Sequence, residues 1–234
     1  MSVETNLQTI EKRIGLACEK ASRPREAVRL LAVAKGQSIA KVQAAYWAGQ
    51  VDIAENYVQE ALVKREQLEN LSIRWHFIGR IQTNKVKLLA DRFYLIHSID
   101  RLRVAEILNA VTTRPPQRIL LQFNVAEENT KAGVPETELE GLLMRTLELP
   151  NLSVCGLMIM PPAVEGAEEV RPYFAKAKSK LMQLRERLSS EQLARHPLDQ
   201  LSMGTTQDYT VAIEEGATWV RIGTDVFGSR EEKE

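Results

Sequence analysis

Eight short apolar runs recur along the chain, each followed by a stretch with helical spacing, and this alternation limits the possible folds more than any other feature. The runs are 28–34 (VRLLAVA), 51–54, 74–78 (RWHFI), 93–99 (FYLIHSI), 118–125 (RILLQFNV), 152–160 (LSVCGLMIM), 198–202 and 217–222 (ATWVRI). Short runs that are apolar at nearly every position read as strands buried on both faces, the condition of a parallel sheet. Neighbouring parallel strands need a crossover, and a helix supplies it. Eight such units with no linker predict one α/β domain over residues 1–234, a closed (β/α)8 TIM-type barrel. An open doubly wound sheet is the structural alternative.

The segments between the runs carry helix signals. Before the first run, Val3, Leu7, Ile10, Ile14 and Ala17 recur at helical steps until Ser22-Arg23-Pro24, predicting an extra N-terminal helix. Ser38 can cap a helix over 39–48 that Gly49 closes, and a second helix runs to about Asn70. Further helices are expected over 82–90, after a cap at Asp100 (with Leu102, Ile107 and Leu108 inward), over 136–148 and over 207–215. A long one is expected over 167–190, striped by Val170, Phe174, Ala177, Leu181, Leu184 and Leu188.

Composition removes several functional classes. Lys plus Arg and Asp plus Glu each number 31, so the chain lacks the basic excess that nucleic-acid binding needs. Cys18 and Cys155 have neither a disulfide framework nor metal-ligand spacing, and read as incidental thiols. The N-terminus has no basic region leading into an apolar one, and no run approaches the roughly 20 apolar residues of a membrane span. These features predict a cytoplasmic protein without membrane or nucleic-acid partners.

In a barrel of this kind chemistry sits at the C-terminal ends of the strands. Lys35 ends the most apolar run, LLAVAK. A lysine desolvated there is a nucleophile toward an aldehyde, while a lysine that exits into water is not; strand position alone leaves both open. The loops after strands seven and eight form the usual phosphate site of such barrels, and here they read Ser202-Met203-Gly204-Thr205-Thr206 and Gly223-Thr224. Glycines let backbone N–H groups approach a phosphate, and hydroxyls add donors. Arg221, inside strand eight, needs a partner: a carboxylate, or the ring nitrogen of a ligand. Asn56 can orient a ligand oxygen or cap a helix. His76, His97 and His196 have no metal-ligand neighbours and read as structural or surface residues.

Taken in order, LLAVAK (30–35), ENYVQE (55–60), WHFIGRIQTNK (75–85), IHSIDR (96–101), GLM (156–158), LSMG (201–204) and VRIGTDVFG (220–228) resemble the motifs of the pyridoxal phosphate homeostasis proteins. These proteins are similar to the barrel domain of alanine racemase. The resemblance spans about residues 28–228 and implies pyridoxal 5′-phosphate (PLP) as cofactor. Carried over one residue at a time, Lys35 resembles the Schiff-base lysine and Asn56 the asparagine near the cofactor ring. Arg221 resembles the arginine facing the pyridine nitrogen. Ser202, Gly223 and Thr224 resemble phosphate-holding positions, and Thr205-Thr206 stand where the family usually has Met-Ser, Thr206 keeping a hydroxyl. Ala54 stands where the family usually has glycine.

The resemblance implies a carrier of PLP in vitamin B6 and amino-acid homeostasis. An arginine opposite the ring nitrogen cannot accept a proton, so the ring is a poor electron sink. Alanine racemase shares that arginine but draws a second catalytic base from the other subunit's second domain, and this chain ends six residues after residue 228. The expectation is therefore a non-catalytic, monomeric PLP protein, with apo PLP-enzymes as recipients of the cofactor. The alternatives are a PLP-dependent amino-acid racemase or related enzyme, and a phosphate-binding barrel that does not use Lys35 covalently.

Overall fold

The computed structural model describes residues 2–114, 116–128 and 132–229. Eight parallel strands pair in sequence order, and β1 closes on β8. They are β1 (Arg29–Val33), β2 (Asp52–Glu55), β3 (Arg74–Phe77), β4 (Leu95–Ile99), β5 (Gln117–Phe123), β6 (Leu152–Ile159), β7 (Gln200–Thr205) and β8 (Trp219–Ile222). The closed barrel excludes the open-sheet alternative.

The outer ring is α2 (Ile39–Trp47), α3 (Val58–Gln67), α4 (Leu102–Val111), α5 (Glu136–Leu147), α6 (Arg171–Glu186) and α8 (Tyr209–Glu214), with the short α7 (Ser190–Arg195) beside α6. After β8 only a four-residue helix follows, α9 (Thr224–Phe227). The missing helix comes from the N-terminus. α1 (Val3–Lys20) packs against α2, α8 and α9, burying Leu7, Ile10, Ile14, Ala17 and Cys18. Asn6 ties it to α9 through the Val226 carbonyl (3.0 Å), and Arg23 donates to the Ile213 and Ala217 carbonyls. The extra helix thus completes the ring rather than decorating it. No helix among the described residues is long and apolar enough to cross a membrane.

Several local expectations need correction. Residues Thr83–Leu88 form a 3-10 helix, not an α-helix. This stretch is short and includes β-branched Thr83 and Val86 and the helix-neutral Asn84, all weak helix formers. Asp100 does not cap α4: Arg101 occupies the N-cap position without a side-chain bond, and Asp100 pairs with the Arg101 guanidinium. The span 167–190 is not one helix. A 3-10 turn over Ala167–Val170 leads into α6, which stops at Glu186, and α7 starts anew from a Ser189/Gln192 capping box. Strand β4 begins at Leu95 rather than at residue 93, and β7 runs from Gln200 to Thr205 rather than over 198–202. Ser38 does cap α2, accepting from the Lys41 amide, and Gly49 follows the helix with a φ of +94°.

Two apolar layers result. A large one lies between sheet and helices, and a small one fills the barrel with Leu31, Ala54, Leu95, Leu120, Cys155, Met158 and Trp219. Ala54, where the family usually has glycine, spends its methyl in this interior packing. Both cysteines are buried free thiols.

Candidate functional site

A cavity of about 560 Å³ opens at the C-terminal mouth of the barrel. Lys35, Asn56, Thr206, Arg221, Gly223 and Thr224 all line it, together with Val33, Ile78, Arg80, Gln122, Met158, Met160, Thr205 and Gln207. Six of the seven residues singled out from sequence therefore share one space. Ser202 does not reach it: the side chain is fully buried beneath the cavity, and its Oγ is engaged by Arg221 and His97.

Lys35 stands just past β1, in a tight turn. The Gln37 amide donates to the Ala34 carbonyl (3.0 Å), and Gly36 takes a φ of +69° that a side chain would resist. A buried ionic cluster grips both flanks of this turn. Lys64 Nζ donates to the Ala34 carbonyl (2.7 Å), to Glu55 Oε1 (2.6 Å) and to Glu60 Oε1 (2.8 Å). Glu60 Oε1 in turn accepts from the Gly36 amide (2.8 Å). Burial pushes Glu55 up to about 7 despite the attraction of Lys64. Sequence reading missed this cluster; the i,i+4 spacing of Glu60 and Lys64 was its only local signal. Lys35 itself is half-buried and makes no hydrogen bond or ion pair among the described residues.

Asn56 follows β2, and Tyr57 rather than Asn56 occupies the N-cap position of α3. The Asn56 Oδ1 is buried and has no partner. Its backbone is wedged against Gly79, where an added Cβ would lie 1.8 Å from the Asn56 carbonyl oxygen. Ser98 Oγ donates to the Gly79 carbonyl (2.6 Å), fixing that approach from β4.

Arg221 is buried without a carboxylate partner among the described residues. Nη1 donates to Ser202 Oγ (2.8 Å), and Nη2 donates to the Ile159 carbonyl (2.9 Å) and approaches Met160 Sδ (2.9 Å). Desolvation lowers it to about 10, which still leaves it a cation at neutral pH. Beside it, the β7 and β8 ends form a polar rim. Gly204 has a φ of +86°, and a Cβ there would meet the Ala212 Cβ at 2.6 Å. Thr205 is committed to Asp208 through its amide and hydroxyl, whereas the Thr206 hydroxyl is bonded to no described group. Gly223 opens α9, whose first amides, like those of any helix, lack intrahelical acceptors.

Two of the three histidines lie inside the barrel. His76 and His97 are fully buried and bonded to each other at 3.0 Å. His196 is also buried, its Nδ1 accepting from the Val154 amide (3.1 Å); burial lowers it to about 4 and keeps it neutral. All three are structural rather than surface residues.

Known proteins share this arrangement of elements. The family described as alanine racemase, N-terminal domain, matches residues 5–231. The pyridoxal phosphate homeostasis protein of Aquifex aeolicus is 44% identical over 232 residues, covering 98% of this chain and 99% of its own. That of Escherichia coli K12 is 36% identical over 239 residues, covering 97% and 96%. The chain belongs to the pyridoxal phosphate homeostasis family. Among solved structures, PipY of Synechococcus elongatus superposes with a TM-score of 0.79 at 33% identity in its PLP-bound form, covering 94% of this chain and all of PipY. Alanine racemase of Corynebacterium glutamicum has a TM-score of 0.68 at 16% identity, over 97% of this chain and 60% of its own, a likeness of fold.

Proposed function

We propose that this member of the family binds PLP as a Schiff base on Lys35 and holds it for delivery to apo PLP-enzymes of the cytoplasm, without catalysing a reaction of its own. One observation carries the reading. A lysine without a charged partner and a buried arginine without a carboxylate, among the described residues, surround one cavity with a hydroxyl-and-glycine rim. The PLP bound to PipY and the names of the curated relatives support the choice of cofactor.

The residues fit the group. Asn56 lines the cavity, and its Oδ1 is a buried acceptor without a partner among the described residues. Arg221 has only three of its five N–H bonds engaged, so donors remain for a ring nitrogen. Thr206, Gly223 and Thr224 offer a hydroxyl and backbone amides to a phosphate. Ser202 serves the site from below, by holding Arg221. When bound, PLP supplies an aldehyde carbon open to amines and a ring that withdraws electrons best when its nitrogen is protonated. Arg221, a permanent donor at that nitrogen, would keep it unprotonated and the ring a poor electron sink, a feature that a racemase can share.

The test is an absorption titration of the apo-protein with PLP, for the native chain and for Lys35→Ala. The native protein is expected to develop an imine band, and Lys35→Ala to lose it while retaining weak phosphate-dependent binding. Free amino acids incubated in D2O with the loaded protein are expected to keep their α-hydrogens. Rapid exchange at the α-carbon would favour the racemase reading, and an imine band retained by Lys35→Ala would refute the lysine assignment.

A further inference from the structure

A file of polar side chains crosses the barrel interior beneath the cavity, in an otherwise apolar layer. It starts at Arg221 on β8 and passes through Ser202 on β7, His97 on β4 and His76 on β3 to Asp52 on β2. Each step is a hydrogen bond: Arg221 Nη1 to Ser202 Oγ at 2.8 Å, Ser202 Oγ to His97 Nδ1 at 2.9 Å, His97 Nε2 to His76 Nδ1 at 3.0 Å, and His76 Nε2 to Asp52 Oδ1 at 3.0 Å. At the far end Arg74 grips Asp52 with two bonds, Nε to Oδ1 (2.7 Å) and Nη2 to Oδ2 (2.6 Å). Ser202, His76 and His97 are essentially inaccessible to solvent.

We propose that this file is a one-way hydrogen-bond chain that positions Arg221 beneath the cavity, with both histidines neutral and protonated on Nε2. The two ends dictate the sense. A guanidinium only donates, so Ser202 Oγ accepts from Arg221 and its own proton goes to His97 Nδ1. His97 then carries its proton on Nε2 and donates to His76 Nδ1. His76 likewise carries its proton on Nε2 and donates to Asp52, which as a carboxylate only accepts. Every link of the file then joins a donor to an acceptor, and the opposite sense fails at both ends. A second proton on either ring would place an imidazolium in a dry interior with Arg221 above and Arg29 and Arg74 below. Burial and those neighbours hold both histidines below their usual range, while Arg74 and His76 keep Asp52 ionised. Tyr94 and Trp219 wall the pair with aromatic faces rather than competing acceptors.

Ser202, His97, His76 and Asp52 are therefore positioning residues. They anchor one edge of the Arg221 guanidinium while Ile159 and Met160 take another, so that its remaining donors keep one orientation. That this orientation serves a bound cofactor rests on the function proposed above; the proton positions do not.

The experiment has two arms so that the two readings fail separately. In the first, long-range ¹H–¹⁵N correlation spectra of the ¹⁵N-labelled apo-protein at pH 7 are expected to show His76 and His97 each with a protonated Nε2 and a bare Nδ1. An Nδ1–H tautomer or a doubly protonated ring at either position overturns the chain whatever the cofactor. In the second, PLP affinity and the absorption maximum of the loaded protein are compared for the native chain, Ser202→Ala and Ser202→Thr. Losing a bond to a charged donor predicts about tenfold weaker binding and a displaced maximum for Ser202→Ala, with Ser202→Thr restoring both. Equal affinity and an unmoved maximum in a folded Ser202→Ala protein overturn the positioning role. Should Ser202→Ala fail to fold, His97→Phe, which keeps a ring in the layer but removes the acceptor, is read in the same way. Absence of PLP binding in the native protein would remove the proposed function and leave the first arm decisive.

Discussion

The buried Glu55–Lys64 pair looks like a stabilising salt bridge, yet the structure predicts that ionising Glu55 weakens the fold. Glu55 is wholly inaccessible, Lys64 is 4% exposed, and the second Glu55 oxygen has no partner. Desolvation is the largest influence on the carboxyl, and the nearby Glu60 adds to it; together they outweigh Lys64 and lift Glu55 from 4.5 to about 7. A carboxyl raised in the folded state favours folding most below the unfolded value of 4.5, and that contribution is lost as pH rises through about 7. At about 1.4 kcal/mol per tenfold step in binding constant, full ionisation costs roughly 3 kcal/mol, of which about 2 to 3 kcal/mol falls between pH 5 and pH 8. Glu55→Gln cannot ionise and escapes this loss. Urea unfolding of both proteins at pH 5, 6, 7 and 8 measures it, because subtracting the two curves cancels the titrating groups that do not interact with Glu55. The expected result is that the native protein loses about 2 to 3 kcal/mol relative to Glu55→Gln across that range. A difference that stays flat, or a native protein that gains on the variant as pH rises, would refute the reasoning, since either means that Lys64 outweighs burial.

Other predictions follow from close contacts at the site. Gly79→Ala places a methyl against the Asn56 carbonyl oxygen and is expected to displace the end of β2, destabilising the protein by roughly 2 to 4 kcal/mol in urea melts and weakening PLP binding. Thr206→Val keeps the shape of the rim but removes a hydroxyl that no described group engages; about tenfold weaker PLP binding with unchanged melting is expected, read by equilibrium dialysis. Lys64→Met unties the turn that carries Lys35 and leaves the Ala34 carbonyl with only the Gln37 amide, so a slower approach of the imine band on mixing with PLP is expected in stopped-flow absorption.

The strands and the cavity were legible because they depend on local pattern. Runs such as VRLLAVA are apolar at nearly every inward and outward position, and in a barrel the end of such a run is also the mouth, so Lys35 and Asn56 could be located by counting. The β7 end was misjudged because Gly204 reads as a turn residue. The strand runs through it to Thr205, and this sinks Ser202 below the mouth and leaves Thr206 at the rim. The polar file from Arg221 to Asp52 was invisible for a different reason: His76 and His97 meet only through the register that sets His76 beside Leu95, a long-range fact. The role of α1 was half visible. Its apolar stripe predicted a packed helix, but only the shortness of α9 after β8 explains why the ring needs it.

The central claim is that Lys35 is the attachment point for PLP, and borohydride reduction of the loaded protein followed by peptide mass mapping tests it most directly. The account predicts one pyridoxyl group, on the peptide carrying Lys35, and an imine band that collapses on reduction. A label on another lysine, or a protein that stays colourless and unlabelled after incubation with PLP, would contradict it.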